Sequence, residues 1–147
     1  MGRGTVRTRA KGRSRGNTRK GKSRVIVFRI NPHALALLDA LIETETQGVK
    51  REGQSGELAS YTQMLPSTWK AIAIDTIGYV PELTEVNEKY VVARTLEKWV
   101  AKGLTDEQIY LKWNSGQYKV HKQGINKWGQ RYDTIAYTQK ALKNLQL

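Results

Sequence analysis

The segment Asn31–Thr46, NPHALALLDALIETET, constrains most of what this chain can fold into. Asn31 can cap a helix, and Pro32 suits the first helical turn, where its missing N–H costs nothing. Ala34, Leu35, Leu38, Leu41 and Ile42 then recur at three- and four-residue steps, which predicts an amphipathic helix over 31–46. The next position on that apolar face is an acid, Glu45. Glu43 falls about 200° away around the axis, on the side of Asp39 and Ala36. Of the two acids, Glu45 is therefore the one aimed at the interior or at a cleft wall. Apolar surroundings hold a carboxylic acid's proton near neutral pH, which is how a general acid is made.

The rest of the chain reads as mainly α. Arg24–Ile30 is a β-branched run that predicts a short strand or extended arm. Gln47–Ser60, with Gly48, Gly53 and Gly56, reads as a loop with room for a short hairpin. Pro66 can start a second helix, with Trp69, Ala71, Ile72 and Ala73 as core candidates up to about Thr76. A long helix fits Val86–Lys102, with Tyr90, Val92, Ala93, Leu96, Trp99 and Val100 on a wide apolar face. Thr105-Asp106-Glu107-Gln108 is a capping-box pattern opening a helix to Trp113. Tyr118–Gln130 reads as a polar loop, and a last helix is predicted from Arg131 to about Leu145.

Charge divides the chain into a basic tail, residues 1–24, and a folded part, residues 25–147. The tail carries ten basic residues and no acid: Arg3, Arg7, Arg9, Lys11, Arg13, Arg15, Arg19, Lys20, Lys22 and Arg24. The remaining residues hold fifteen Lys/Arg against thirteen acids, so the net charge of +12 belongs almost entirely to the tail. With one Val and no aromatic residue, the tail cannot bury enough apolar surface to offset its ordering entropy; alone it is expected to be disordered or held by a partner. Its charge suits nucleic-acid phosphates, an acidic particle surface or anionic wall polymers. With no cysteine, and only His33 and His121 far apart in sequence, neither a metal site nor a cofactor is expected. No apolar run approaches the ~18 residues of a membrane span. No apolar stretch follows the charged first residues, so no cleavable signal peptide is expected.

Two further stretches carry a resemblance. Gln63-Met64-Leu65-Pro66-Ser67-Thr68-Trp69 resembles the Q-x-x-P-S-T-W of soluble lytic transglycosylases, and Ile42-Glu43-Thr44-Glu45-Thr46 resembles their I-E-T-E-S. The eighteen-residue step from Glu45 to Gln63 matches the family's spacing. Trp113-Asn114-Ser115-Gly116 resembles the family's Y-N-A-G, with Trp keeping an aromatic face but losing the phenol hydroxyl. Tyr132-Asp133-Thr134-Ile135-Ala136-Tyr137 resembles its C-terminal helix. Before the Gln, Ser60, Tyr61 and Thr62 replace the usual Gly, Leu and Met, a departure in the wall of the sugar cleft.

The resemblance, which extends to goose-type lysozymes, implies a lysozyme-like fold with a small β or loop lobe. It implies cleavage of peptidoglycan glycan strands between N-acetylmuramic acid and N-acetylglucosamine. Glu45 would be the catalytic acid and Thr46 its orienting neighbour. Gln63, Asn114 and Tyr132, with Tyr137 in reserve, would support Glu45 or contact sugar. Tyr61 and Trp113 would offer flat faces to sugar rings or simply pack, and Asn87 would cap its helix or contact sugar. Glu52 and Glu57 are candidates for a second carboxylate, which would permit hydrolysis. An enzyme of this kind without a signal peptide would be virion-associated, or would reach the bacterial wall or periplasm by another route. The competing expectation is a structural or nucleic-acid-binding virion protein that keeps the fold without catalysis.

Overall fold

The structure, a computed structural model, describes residues 29–116 and 123–146. The basic tail and nearly all of the Arg24–Ile30 run lie outside the described residues. Among the described residues, five helices and one two-stranded sheet follow in order: α1 Pro32–Thr46, α2 Pro66–Ile77, α3 Glu85–Ala101, α4 Asp106–Ser115, β1 Gln123–Ile125, β2 Arg131–Asp133 and α5 Thr134–Leu145. The described part is thus mainly α.

The helix boundaries follow from their caps. The Asn31 side chain accepts from the His33 N–H and Pro32 sits in the first turn, while Gln47 ends α1 in a left-handed conformation at φ 53°. Thr84 caps α3 by accepting from the Asn87 N–H. Asn87 itself donates from its side chain to the Glu82 carbonyl, so it fastens the turn before α3. At α4 the capping box is complete: Thr105 accepts from Gln108 N–H, and the Gln108 side chain accepts from Thr105 N–H. These contacts satisfy amide groups that the first helical turn leaves open.

α1 is the hub. It packs on α3 and on α5; α5 also packs on α4, and α2 on α3. Leu37, Leu38 and Leu41 of α1 meet a core shared with Val91, Val92 and Leu96 of α3, Ile109 and Tyr110 of α4, and Ala141 of α5. Each of the Leu, Ile and Val side chains contributes roughly 1.5–3 kcal/mol through burial. The Tyr110 hydroxyl donates to the Leu37 carbonyl, and Asn144 of α5 donates to the Thr44 hydroxyl, so polar groups also tie the hub to its neighbours. Asp39, Glu43 and Ala36 are exposed on the opposite side of α1.

The small sheet is not where the sequence suggested. The loop after α1 holds a single antiparallel bridge, Arg51–Ser60. The two-stranded sheet lies instead at 123–133, with β1 in the stretch read as loop, β2 in residues read as the start of the last helix, and Gly124 opposite Tyr132. The last helix begins at Thr134, not Arg131. Asp133 is its cap and accepts from the Ile135 and Ala136 N–H groups, which leaves Arg131 and Tyr132 in β2.

Candidate active site

Glu45 sits one residue from the end of α1, partly buried, at the wall of a cleft of about 700 Å³. Gln63, Met64 and Leu65 line the cleft from the loop before α2, and Thr68 and Ile72 from α2 itself. Trp99 comes from α3, Lys112, Trp113 and Asn114 from α4, and Tyr132 from β2. The cleft therefore gathers Glu45, Gln63, Trp113, Asn114 and Tyr132, five positions spread over nearly ninety residues of sequence.

Burial pushes the Glu45 carboxyl up to about 7. A hydrogen bond from Tyr137 opposes this rise, the nearby charge of Glu57 adds to it, and Lys140 lowers it. The Tyr137 hydroxyl donates to Glu45 Oε2 at 2.6 Å. Burial and the neighbouring Glu45 hold that phenol protonated, well above its ordinary range. Glu45 thus exchanges its proton near neutral pH, with a fixed donor on one oxygen and the cleft beside it.

Three sequence expectations are corrected here. The tyrosine bonded to Glu45 is Tyr137, not Tyr132. With α5 starting at Thr134, Tyr137 lies on the helix and Tyr132 on the preceding strand, where it lines the cleft. Thr46 does not orient Glu45; its buried hydroxyl faces the carbonyls of Ile42 and Tyr61 and so ties the following loop to α1. Tyr61 is not among the cleft-lining residues. Its hydroxyl donates to Glu85 and the Lys89 ammonium lies 5.3 Å from its ring centre, which holds it against α3.

Gln63 takes a left-handed backbone conformation, φ 55°, and its amide donates to the carbonyls of Arg51 and Ser60. With both amide hydrogens used by the wall, Oε1 is the atom it can offer a ligand. Of the two candidate second acids, Glu57 lines the cleft and accepts from the Ser55 N–H, while Glu52 is exposed and absent from the lining.

Comparison with protein-family models, characterised proteins and solved structures gives no match.

Several contributors went unread in the sequence. Trp99, taken as core, lines the cleft and meets Trp113 edge-on with ring centres 6.3 Å apart. Trp128, placed in a loop, lines it too. Glu88 is 1% exposed, and its carboxylate accepts from the Tyr61 and Thr62 N–H groups and the Thr62 hydroxyl. The signal for Glu88 was present: Val91, Val92, Thr95 and Leu96 follow at steps of three, four, seven and eight, the same criterion that singled out Glu45. Among the described residues, no group of three or more His, Asp or Glu could hold a metal ion, and no helix is long and apolar enough to cross a membrane.

Proposed function

We propose that the protein is a peptidoglycan lytic transglycosylase with a lysozyme-like fold, in which Glu45 is the single catalytic acid and base. The observation that carries this reading is a carboxyl pushed up to about 7 beside a large cleft, bonded to a tyrosine hydroxyl. The motif resemblance supplies the substrate class. Trp99, Trp113, Trp128 and Tyr132 support it as flat apolar faces for sugar rings, with Asn114 and the Gln63 carbonyl oxygen as polar contacts.

In the proposed cycle, protonated Glu45 gives its proton to the glycosidic oxygen as the bond to the muramoyl anomeric carbon breaks. The muramoyl N-acetyl oxygen assists that departure. Glu45, now a carboxylate, takes the proton of the same sugar's 6-hydroxyl. That oxygen closes on the anomeric carbon, giving a 1,6-anhydro end and leaving Glu45 protonated again. Both roles need a group that titrates near the working pH. The closing step is intramolecular, so proximity lowers its barrier without a second carboxylate. Tyr137 helps bear the charge on Glu45 between the two steps.

The basic tail fits a second role, anchoring the enzyme to nucleic acid or to an acidic particle surface, as a virion-carried wall-cleaving protein would require. The test of the enzymatic reading is clearance of purified cell wall by the protein and by Glu45→Gln. Clearing by the wild type and a loss of at least about a hundredfold in the variant is expected for a group that transfers protons in the reaction. Undiminished clearing by the variant would remove Glu45 from the mechanism.

A further inference from the structure

Glu88 is a buried acid that the proposed cycle does not use. It is 1% exposed and is not among the cleft-lining residues, so it stands out of a ligand's reach. A carboxylate taken out of water is costly unless donors meet its oxygens. Here the donors come from two consecutive residues of one loop. Oε2 accepts from the Thr62 hydroxyl at 2.6 Å, the Thr62 N–H at 2.7 Å and the Tyr61 N–H at 3.1 Å. The Tyr61 N–H also lies 3.2 Å from Oε1. Glu88 stands in the first turn of α3, where open N–H groups favour negative charge.

Tyr61 and Thr62 run directly into Gln63. The Tyr61 carbonyl lies 2.9 Å from the hydroxyl of Thr46, the residue after Glu45. The same short stretch is therefore tied to the end of α1 and to the start of α3. Past Thr62 the backbone turns left-handed at Gln63, φ 55°, a conformation that persists in a residue with a Cβ only where its surroundings hold it. The Gln63 N–H donates to Ser60 Oγ, and its side-chain amide to the Arg51 and Ser60 carbonyls. These bonds all stay within the loop. The buried hydrogen bonds that carry the turn onto α3 are those of Glu88.

We infer that Glu88 is a positioning residue: by holding Tyr61 and Thr62 it sets the Gln63 side chain at the cleft wall relative to Glu45. The inference rests on the glycan-cleaving reading above and deepens it, since Gln63 Oε1 is a substrate contact there. An apolar side chain at position 88 would leave the Tyr61 and Thr62 donors unpaired, and the loop would move to pair them with water.

Two readouts test it. The first needs no substrate: the side-chain amide signals of Gln63 in the NMR spectrum, assigned by their loss in Gln63→Ala. In the wild type, the bonds to Arg51 and Ser60 set them apart from the signals of exposed glutamines. They are expected to move to the exposed position in Glu88→Ala, and part of the way in Glu88→Gln, which keeps one acceptor. Signals that stay in place in Glu88→Gln overturn the inference, even where Glu88→Ala does not fold. The second readout is a double-mutant cycle on cleavage of soluble peptidoglycan strands. Glu88→Gln is expected to lower kcat/KM about tenfold alone, as a small misplacement of a contact does, and less than about twofold in the Gln63→Ala background. Losses that multiply overturn the inference, because Glu88 then acts on the fold at large and not through Gln63. If the wild type cleaves nothing while the Gln63 signals move as expected, it is the glycan reading that fails, and the role of Glu88 in the reaction falls with it.

Discussion

Glu45 and Glu88 each stand on the inward face of a helix, yet their surroundings give them different work. Glu88 is enclosed by N–H and O–H donors from Tyr61 and Thr62. Glu45 has one hydroxyl donor, and burial dominates, pushing it up to about 7. If Glu45 must begin the reaction protonated, kcat/KM falls on the alkaline side with a midpoint near 7. The Tyr137 hydrogen bond favours the carboxylate, so Tyr137→Phe moves that limb to higher pH, whereas Tyr132→Phe leaves it in place. A limb unmoved by Tyr137→Phe would contradict the assignment. Stability carries the same signature. Folding raises the Glu45 pKa above its unfolded value, so its contribution is fully present below about 4.5 and is lost as pH rises through about 7. The full shift corresponds to something on the order of 3 kcal/mol. Denaturant unfolding of Glu45→Gln is therefore expected to show a gain over wild type at pH 8 that is absent at pH 4. An equal effect at both would mean the carboxyl is not held neutral.

Between residue and molecule stand the loop after α1 and the hairpin before α5. Glu88 reaches from α3 to hold the loop's return at Tyr61 and Thr62, immediately before Gln63. Glu88→Ala leaves those buried donors without partners, and a loss of about 3 kcal/mol in denaturant unfolding is expected. A loss below about 1 kcal/mol would show that water replaces the carboxylate there. The same elements mark what the sequence made legible. Asn31-Pro32, Thr84 and the Thr105–Gln108 box are local signals with local causes, and the helices they open were readable. The hairpin was not: each strand is three residues long, contains Gly124 or charge, and lacks β-branched alternation. Missing it moved the start of α5 by three residues. That displaced the choice between Tyr132 and Tyr137, since only the true cap, Asp133, says which tyrosine is helical. Trp99 escaped for a related reason: an aromatic on an apolar helix face looks the same whether it fills a core or walls a cleft.

For the whole molecule, charge is segregated by sequence. Nearly all of the net +12 resides in residues 1–24, while the residues that carry Glu45 and its cleft are close to neutral. The two proposed functions are then separable by deletion. Removing residues 1–24 is expected to abolish salt-sensitive binding to duplex DNA, whose logarithmic dependence on salt reports the phosphates neutralised, and to leave glycan cleavage intact. DNA affinity and salt slope unchanged by that deletion would place the polyanion contact elsewhere. The central claim is that one carboxyl, Glu45, both gives and takes the proton, so that the sugar's own hydroxyl and not water completes the reaction. Mass spectrometry of the fragments released from purified peptidoglycan tests it most directly. The account predicts 1,6-anhydromuramoyl ends, one water lighter than hydrolysed ends, from the wild type and none from Glu45→Gln. Reducing muramic acid ends as the main product would contradict it and hand the second step to water.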